Sequence, residues 1–273
     1  MTSHTTLIVG VNGKTGRRVN SLLTEAGRLT RGVSRSTSPS FDWLNPSTWQ
    51  AAMQGCDSAY VCYQPDLAVP AAQAAIAEFI EHAKQAGIQH VVLLSGRGED
   101  GAVAAERQLI KSGLSWNVVR ASWFSQNFSE GFLIESVNSG QVALPRADVL
   151  EPFVDVDDIA EVAVACLTQP ALRNQLFEVT GPELLSLREC VAMIANAKQR
   201  PIEFVELSVE QFVGALKQQQ FPDDMLWLMN ELFSEVMDGR NSHLCHGVEQ
   251  ALGRPAKSFA DYVSATAAQD MWS

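Results

Sequence analysis

Gly10, Gly13 and Gly16 recur every third residue and enclose Asn12, Lys14 and Thr15 in the run Gly10-Val11-Asn12-Gly13-Lys14-Thr15-Gly16. Before them stands Thr5-Thr6-Leu7-Ile8-Val9, β-branched and apolar, which reads as a buried parallel strand. After them Arg17 to Ala26 carries apolar residues at 19, 22, 23 and 26, a helical spacing. A strand, a glycine turn and a helix aim backbone N–H groups and the positive end of the helix at an anion. The anion that suits this arrangement is the pyrophosphate of a dinucleotide, which the glycines let the backbone approach. The spacing departs from the Gly-x-Gly-x-x-Gly of the commonest dinucleotide fingerprint. Gly13-Lys14-Thr15 also matches the end of a triphosphate-binding loop, but that motif requires glycine where Ile8 stands.

The choice of dinucleotide rests on the end of the next strand, Leu29 to Ser34. An NAD site places Asp or Glu there to hold the ribose hydroxyls. Here the chain reads Val33-Ser34-Arg35-Ser36, without an acid. A guanidinium matches a 2′-phosphate with two parallel hydrogen bonds and a serine hydroxyl adds a further donor. Ser34 and Arg35, with Lys14 and Arg17 on the turn side, therefore predict NADP(H) in preference to NAD(H).

Further along, the elements that must position these residues alternate. Ser58 to Tyr63, Val91 to Leu94 (ending at Ser95-Gly96) and Trp116 to Arg120 read as strands, and Val69 to Ala86 and Ala102 to Lys111 as helices. Alternation at this spacing predicts an α/β fold, a Rossmann-type doubly wound parallel sheet. Residues 1–150 form the dinucleotide-binding domain in this reading. Residues 151–180 return to the sheet through a helix at Asp157 to Leu167 and a strand at Gln175 to Thr180. Residues 181–273 make a small, mostly helical substrate lobe, with a strand-like stretch at Pro201 to Leu207.

Composition narrows the classes. The net charge of −11 argues against nucleic acid as a partner. With 46% hydrophobic residues, no apolar run approaches the roughly 20 residues of a membrane span. Cys56, Cys62, Cys166, Cys190 and Cys245 are scattered without a Cys-x-x-Cys pair, which fits reduced thiols, and with no leader-like start a cytoplasmic location is expected. His243-Leu244-Cys245-His246 lacks a fourth ligand nearby, so no metal is predicted.

Several separated segments resemble one group, the NmrA-like atypical short-chain dehydrogenase/reductases, and within it the ergot-alkaloid-type reductases. They are Gly10 to Arg17, Phe41-Asp42-Trp43, Val91 to Gly96, Arg120 to Phe128, Pro152 to Ala160, and Leu252 to Pro255 with Ser258 to Tyr262. Ala121 departs from the family's proline after the arginine of the fifth strand. The resemblance implies that Gln64 and Pro65 after the third strand, and Ser95 with Gly96 at the end of the fourth, border the cofactor. It also implies that Glu106 is the family's glutamate, which orients its helix. Trp123, Phe124 and Trp227 are assigned to an apolar substrate pocket.

Typical short-chain reductases protonate their product through a Tyr-x-x-x-Lys pair. Tyr60, Tyr63 and Tyr262 are the tyrosines here, and Gln64, Leu67 and Thr266 stand four residues after them. The pair is absent, and Tyr63, closing the third strand, is the remaining candidate donor. Asp155, Asp157 and Asp158 form an acidic cluster; capping of the following helix is expected of Asp157, and a second carboxylate could face a cationic substrate. An NADPH-dependent reductase of a small, apolar molecule follows, of iminium or quinone type, since such acceptors need little more than hydride. A non-catalytic NADP(H) sensor and a cofactor-assisted cyclase or isomerase stay open, as does homodimer formation.

Overall fold

The computed structural model describes residues 4–272. In chain order the strands and helices are β1 (Thr5–Val9), α1 (Lys14–Glu25), β2 (Leu29–Val33), α2 (Trp49–Met53), β3 (Ser58–Val61), α3 (Ala72–Ala86), β4 (His90–Gly96), α4 (Asp100–Ile110) and β5 (Ser115–Ala121). There follow α5 (Asn127–Glu130), α6 (Ile134–Ser139), β6 (Gln141–Leu144), α7 (Val156–Thr168), β7 (Gln175–Val179), α8 (Leu187–Lys198) and β8 (Glu203–Glu206). The chain ends with α9 (Val209–Gln218), α10 (Asp223–Glu231), α11 (Gly247–Leu252) and α12 (Phe259–Ala267). No helix among the described residues is long and apolar enough to cross a membrane.

Two compact units are interleaved along the chain. The first takes the chain up to Ala121, Asp157–Val179 and Gly247–Arg254; the second takes Ser122–Val156, Thr180–His246 and the chain from Pro255 onward. Residues 122–150, expected in the dinucleotide domain, thus lie in the second unit, and α11 lies in the first. The reason is packing at long range: a Cβ on Gly247 would overlap the backbone of Glu178 in β7, so α11 sits directly on that strand.

The first unit holds a parallel sheet of order β2-β1-β3-β4-β5-β7, the doubly wound arrangement expected. Leu7, Ile8, Val61, Val92, Leu93, Val118 and Val119 are buried in its strands, as helices on both faces require. Order reverses at β1: its crossover α1 leads one way to β2, and the chain then returns to β3 on the other side. Ligands of such sheets lie outside the carboxyl ends of the strands at this switch point. Gly32 in β2 seats the turn, since a Cβ there would lie 2.5 Å from Cγ2 of Val11. Phe41 stacks on Trp49 with ring centroids 5.5 Å apart.

The second unit is mostly helical. Ser186, Ser208 and Ser258 cap α8, α9 and α12, each in a reciprocal capping box with Glu189, Gln211 or Asp261. Its strands β6 and β8 pair in parallel, Gln141 opposite Glu203, as a sheet of their own. The strand-like Pro201 to Leu207 stretch therefore does contain a strand, Glu203–Glu206, with β6 as its partner.

Candidate active site

Gly10 turns the chain out of β1 with φ +79°, a conformation that strains any residue with a Cβ. Its N–H and that of Val11 both donate to the carbonyl of Val33, at 3.0 and 3.3 Å, tying the turn to β2. Gly16 is sterically the strictest of the three glycines, because a Cβ there would overlap the Gly10 carbonyl. At Gly13 the same test gives 3.2 Å to the Gly10 oxygen, a tight contact that the turn must yield to by a few tenths of an ångström, far less than at Gly16. Thr15 is buried in the first turn of α1, and no side chain caps the helix at Gly13. The first-turn amides and the positive helix end thus fit a pyrophosphate.

Beside the turn, Asn12 donates from Nδ2 to Ser34 Oγ at 3.0 Å and to Ser36 Oγ at 3.3 Å. Arg35 stands exposed between these serines. Of the basic residues on α1, Arg18 is committed, its Nη1 donating to the Lys14 carbonyl at 3.0 Å and its Nε to Asp157 at 2.5 Å. Arg17 is exposed and Lys14 half-buried at the helix start.

Past β3, Gln64 and Pro65 are exposed, whereas Tyr63 is buried with its ring 4.8 Å from that of Trp43. Burial pushes the Tyr63 phenol above its usual range, making it a poorer acid. Cys62, whose carbonyl accepts from Trp43 Nε1 at 3.2 Å, has its thiol pushed up to about 11 by burial, with Asp66 adding to the effect. Two carboxyls that sequence reasoning passed over meet next to it. Asp66 hydrogen-bonds the carboxyl of Glu99, and burial raises the Asp66 pKa. Glu99 is buried, and a Cβ on Gly96 would overlap its carboxyl group. The absence of side-chain bulk at Gly96 was the available signal.

Where β4, β5 and β7 run side by side, Ser95, Arg120 and Glu178 fall in one row of the register. Arg120 donates from Nε to Glu106 Oε1 at 2.9 Å, from Nη2 to Glu106 Oε2 at 2.5 Å and from Nη1 to Glu178 Oε1 at 2.8 Å. Arg97, also buried, lies 3.7 Å from Glu178. Ser95 donates its hydroxyl proton to Glu106 Oε1 at 2.6 Å. Glu106 is only 2% exposed. Held in this way, the guanidinium of Arg120 is pushed well above its ordinary pKa, chiefly by its hydrogen bond to Glu106.

In the second unit Trp123 and Phe124 are half-buried; Trp123 packs on Phe233 at 5.4 Å between centroids, and Phe124 bridges to Val154. Trp227 is 39% exposed on α10. Buried Asp155 accepts from Gln126 Nε2 at 3.0 Å, while Gln126 Oε1 accepts from the Val156 amide at 2.8 Å. The acidic cluster is thus divided. Asp157, expected to cap α7, lies in its first turn and pairs with Arg18. Asp158 is fully buried and accepts from Arg254 Nη2 at 2.7 Å.

Residues 10–170 match the model of a family described as NAD(P)H-binding. The chain belongs to that family. The glycine turn, Ser95, Glu106 and Arg120 fall inside the matched span, and Glu178 lies just beyond it. Over 96% of this chain and 98% of its own length, the NAD(P)H azoreductase of Xenophilus azovorans is 30% identical. The agroclavine dehydrogenase of Claviceps fusiformis is 31% identical over 95% of this chain and 96% of its length. Among solved structures, the NADPH-dependent quinone oxidoreductase of Escherichia coli complexed with NADPH superposes with a TM-score of 0.79 at 17% identity, covering 96% of this chain and 99% of that one. The resemblance to NmrA-like atypical short-chain reductases is borne out. This family member is an NAD(P)H-dependent oxidoreductase with the Rossmann-like fold expected.

Proposed function

We propose that the protein uses NADPH to reduce a small apolar molecule that is already activated as a hydride acceptor, of iminium or quinone type. Gly10, Gly13, Gly16 and the start of α1 hold the pyrophosphate, and Arg35 with Ser34 holds the 2′-phosphate. Gln64, Pro65, Ser95 and Gly96 border the nicotinamide half, and Trp123, Phe124 and Trp227 offer apolar surface to substrate. When bound, the cofactor supplies the hydride. The observation that carries the reading is the row at β4 and β5. On α4, near where a typical short-chain reductase keeps its proton-donating tyrosine, this chain has Glu106 locked onto Arg120. Tyr63 is buried with its phenol raised, so it is poorly suited to supply a proton. An iminium needs none, because its positive charge accepts the electron pair.

NADPH oxidation measured against matched iminium, quinone and unactivated ketone compounds tests this. Iminium and quinone turnover should exceed ketone turnover, and Tyr63→Phe should lower kcat less than tenfold. Efficient reduction of plain ketones, or a loss near the hundredfold typical of a general acid, would overturn the reading.

A further inference from the structure

The proton inventory of the β4–β5–β7 row leaves Ser95 with a single chemical role. Both carboxylate oxygens of Glu106 accept from the Arg120 guanidinium, so Glu106 is an acceptor only. The 2.6 Å contact from Ser95 to Glu106 Oε1 must then be made with the serine's own hydroxyl proton. A serine has one proton and two lone pairs. With that proton fixed on Glu106, every other partner of Ser95 has to be a donor. The arrangement is held from three sides: Ser95 by its register with Arg120, Arg120 by Glu178 on β7, and Glu106 by α4.

We propose that Ser95 is an obligate hydrogen-bond acceptor toward the bound cofactor, recognising the carboxamide NH2 of the nicotinamide ring, with Glu106 as the positioning residue that fixes its proton. This rests on the cofactor-site reading above. The sheet supplies the reason for choosing the carboxamide. Adenosine belongs on the β1–β2 side of the switch point and nicotinamide on the β3–β4 side, where Ser95 ends its strand. The carboxamide is the nicotinamide ring's one N–H donor group, present in both oxidation states. A serine whose proton is drawn toward a carboxylate presents enriched lone pairs, so the bond to it is strengthened. The same lock means that Ser95 has no proton for the substrate.

Calorimetric titration with NADP+ and with its 3-acetylpyridine analogue, in which a methyl group replaces the carboxamide NH2, tests this without turnover. The wild type should bind the analogue about tenfold more weakly, the worth of one good hydrogen bond. Ser95→Ala should bind NADP+ about tenfold more weakly and bring the ratio of the two ligands close to one. In Glu106→Gln the side-chain amide can donate to Ser95 and release its hydroxyl to point elsewhere, so the ratio should fall as well. Adding Ser95→Ala to that variant should lower it no further. Full discrimination in folded Ser95→Ala, or no discrimination in the wild type, overturns the assignment to Ser95. A Glu106→Gln protein that loses thermal stability but keeps the ratio overturns the positioning role. Failure of the wild type to bind NADP+ at all would instead strike at the cofactor-site reading itself.

Discussion

Two ends of one sheet edge are built by opposite means. At β1 and β2 the site is made of backbone and small hydroxyls: the Gly10 turn, the first turn of α1, Asn12 and the two serines, with Arg35 standing in solvent. At β4, β5 and β7 it is made of paired charge, buried Glu106 and Arg97 with half-buried Arg120 and Glu178, ordered around Ser95. Backbone amides bind an anion whatever the pH and do no proton chemistry. A buried ion-pair row, by contrast, decides which atom holds each proton and holds it there. The first end therefore suits a part of the cofactor that never changes, and the second a part where charge moves.

The sharpest way to separate the ends is within the glycine turn. Gly13→Val should fold with a near-normal melting temperature yet show no measurable NADPH binding, because its side chain fills the phosphate hollow. Gly16→Ala should instead lose roughly 3–5 kcal/mol of stability by urea denaturation, since its Cβ would overlap the Gly10 carbonyl, whereas at Gly13 the contact with that oxygen is 3.2 Å. Equal effects at the two positions would mean that the turn is not a cradle.

At the other end, Glu106→Ala strands Arg120 beside Glu178 alone and should cost about 3–5 kcal/mol, the scale for breaking a buried pair. A loss under about 1 kcal/mol in the same denaturation experiment would show that water replaces the carboxylate.

Arg35→Ala should weaken NADPH by about 1.5–3 kcal/mol and leave NADH nearly unchanged, because the residue is exposed and its effect is confined to one charge-assisted contact. A wild type that binds both cofactors equally would remove the assignment.

The smallest expected effect is in the pH dependence of stability. Burial raises the Asp66 carboxyl above its ordinary value of 3.8. Its contribution to stability is therefore complete below that value and is lost as pH rises through the folded one. Asp66→Asn keeps an acceptor for the Ala68 amide and a donor for Glu99 but has no proton to lose. Its melting temperature should gain on that of the wild type as pH rises above about 4; parallel melting curves would show that burial does not raise the Asp66 carboxyl.

How much of this the sequence disclosed follows from distance along the chain. β1, the glycine turn and α1 are contiguous, so strand pattern and helix spacing reveal them directly. The run Gln141 to Leu144 is too short to announce a strand, and it becomes one only because residues 203–206, far along the chain, lie beside it. Arg120 and Glu106 were legible singly. Their union with Ser95 and Glu178 depends on the register of three strands, which no local pattern encodes. Asp66 and Glu99 were hidden for the same reason, the loops after β3 and β4 being joined only in space.

Arg254 answers the fully buried carboxylate of Asp158 and also bonds Glu161 at 2.6 Å, while Gly247 lets α11 press onto β7. The nucleotide-binding half is thus locked by residues far along the chain from its glycine turn. The bond from Arg254 to Asp158 joins residues almost a hundred positions apart. The half is accordingly not a cassette: a graft or truncation ending after β7 would lose the Arg254 bonds to Asp158 and Glu161 and the helix that packs on β7. Recombination within this lineage has to keep the C-terminal clasp together with the glycine turn or replace both.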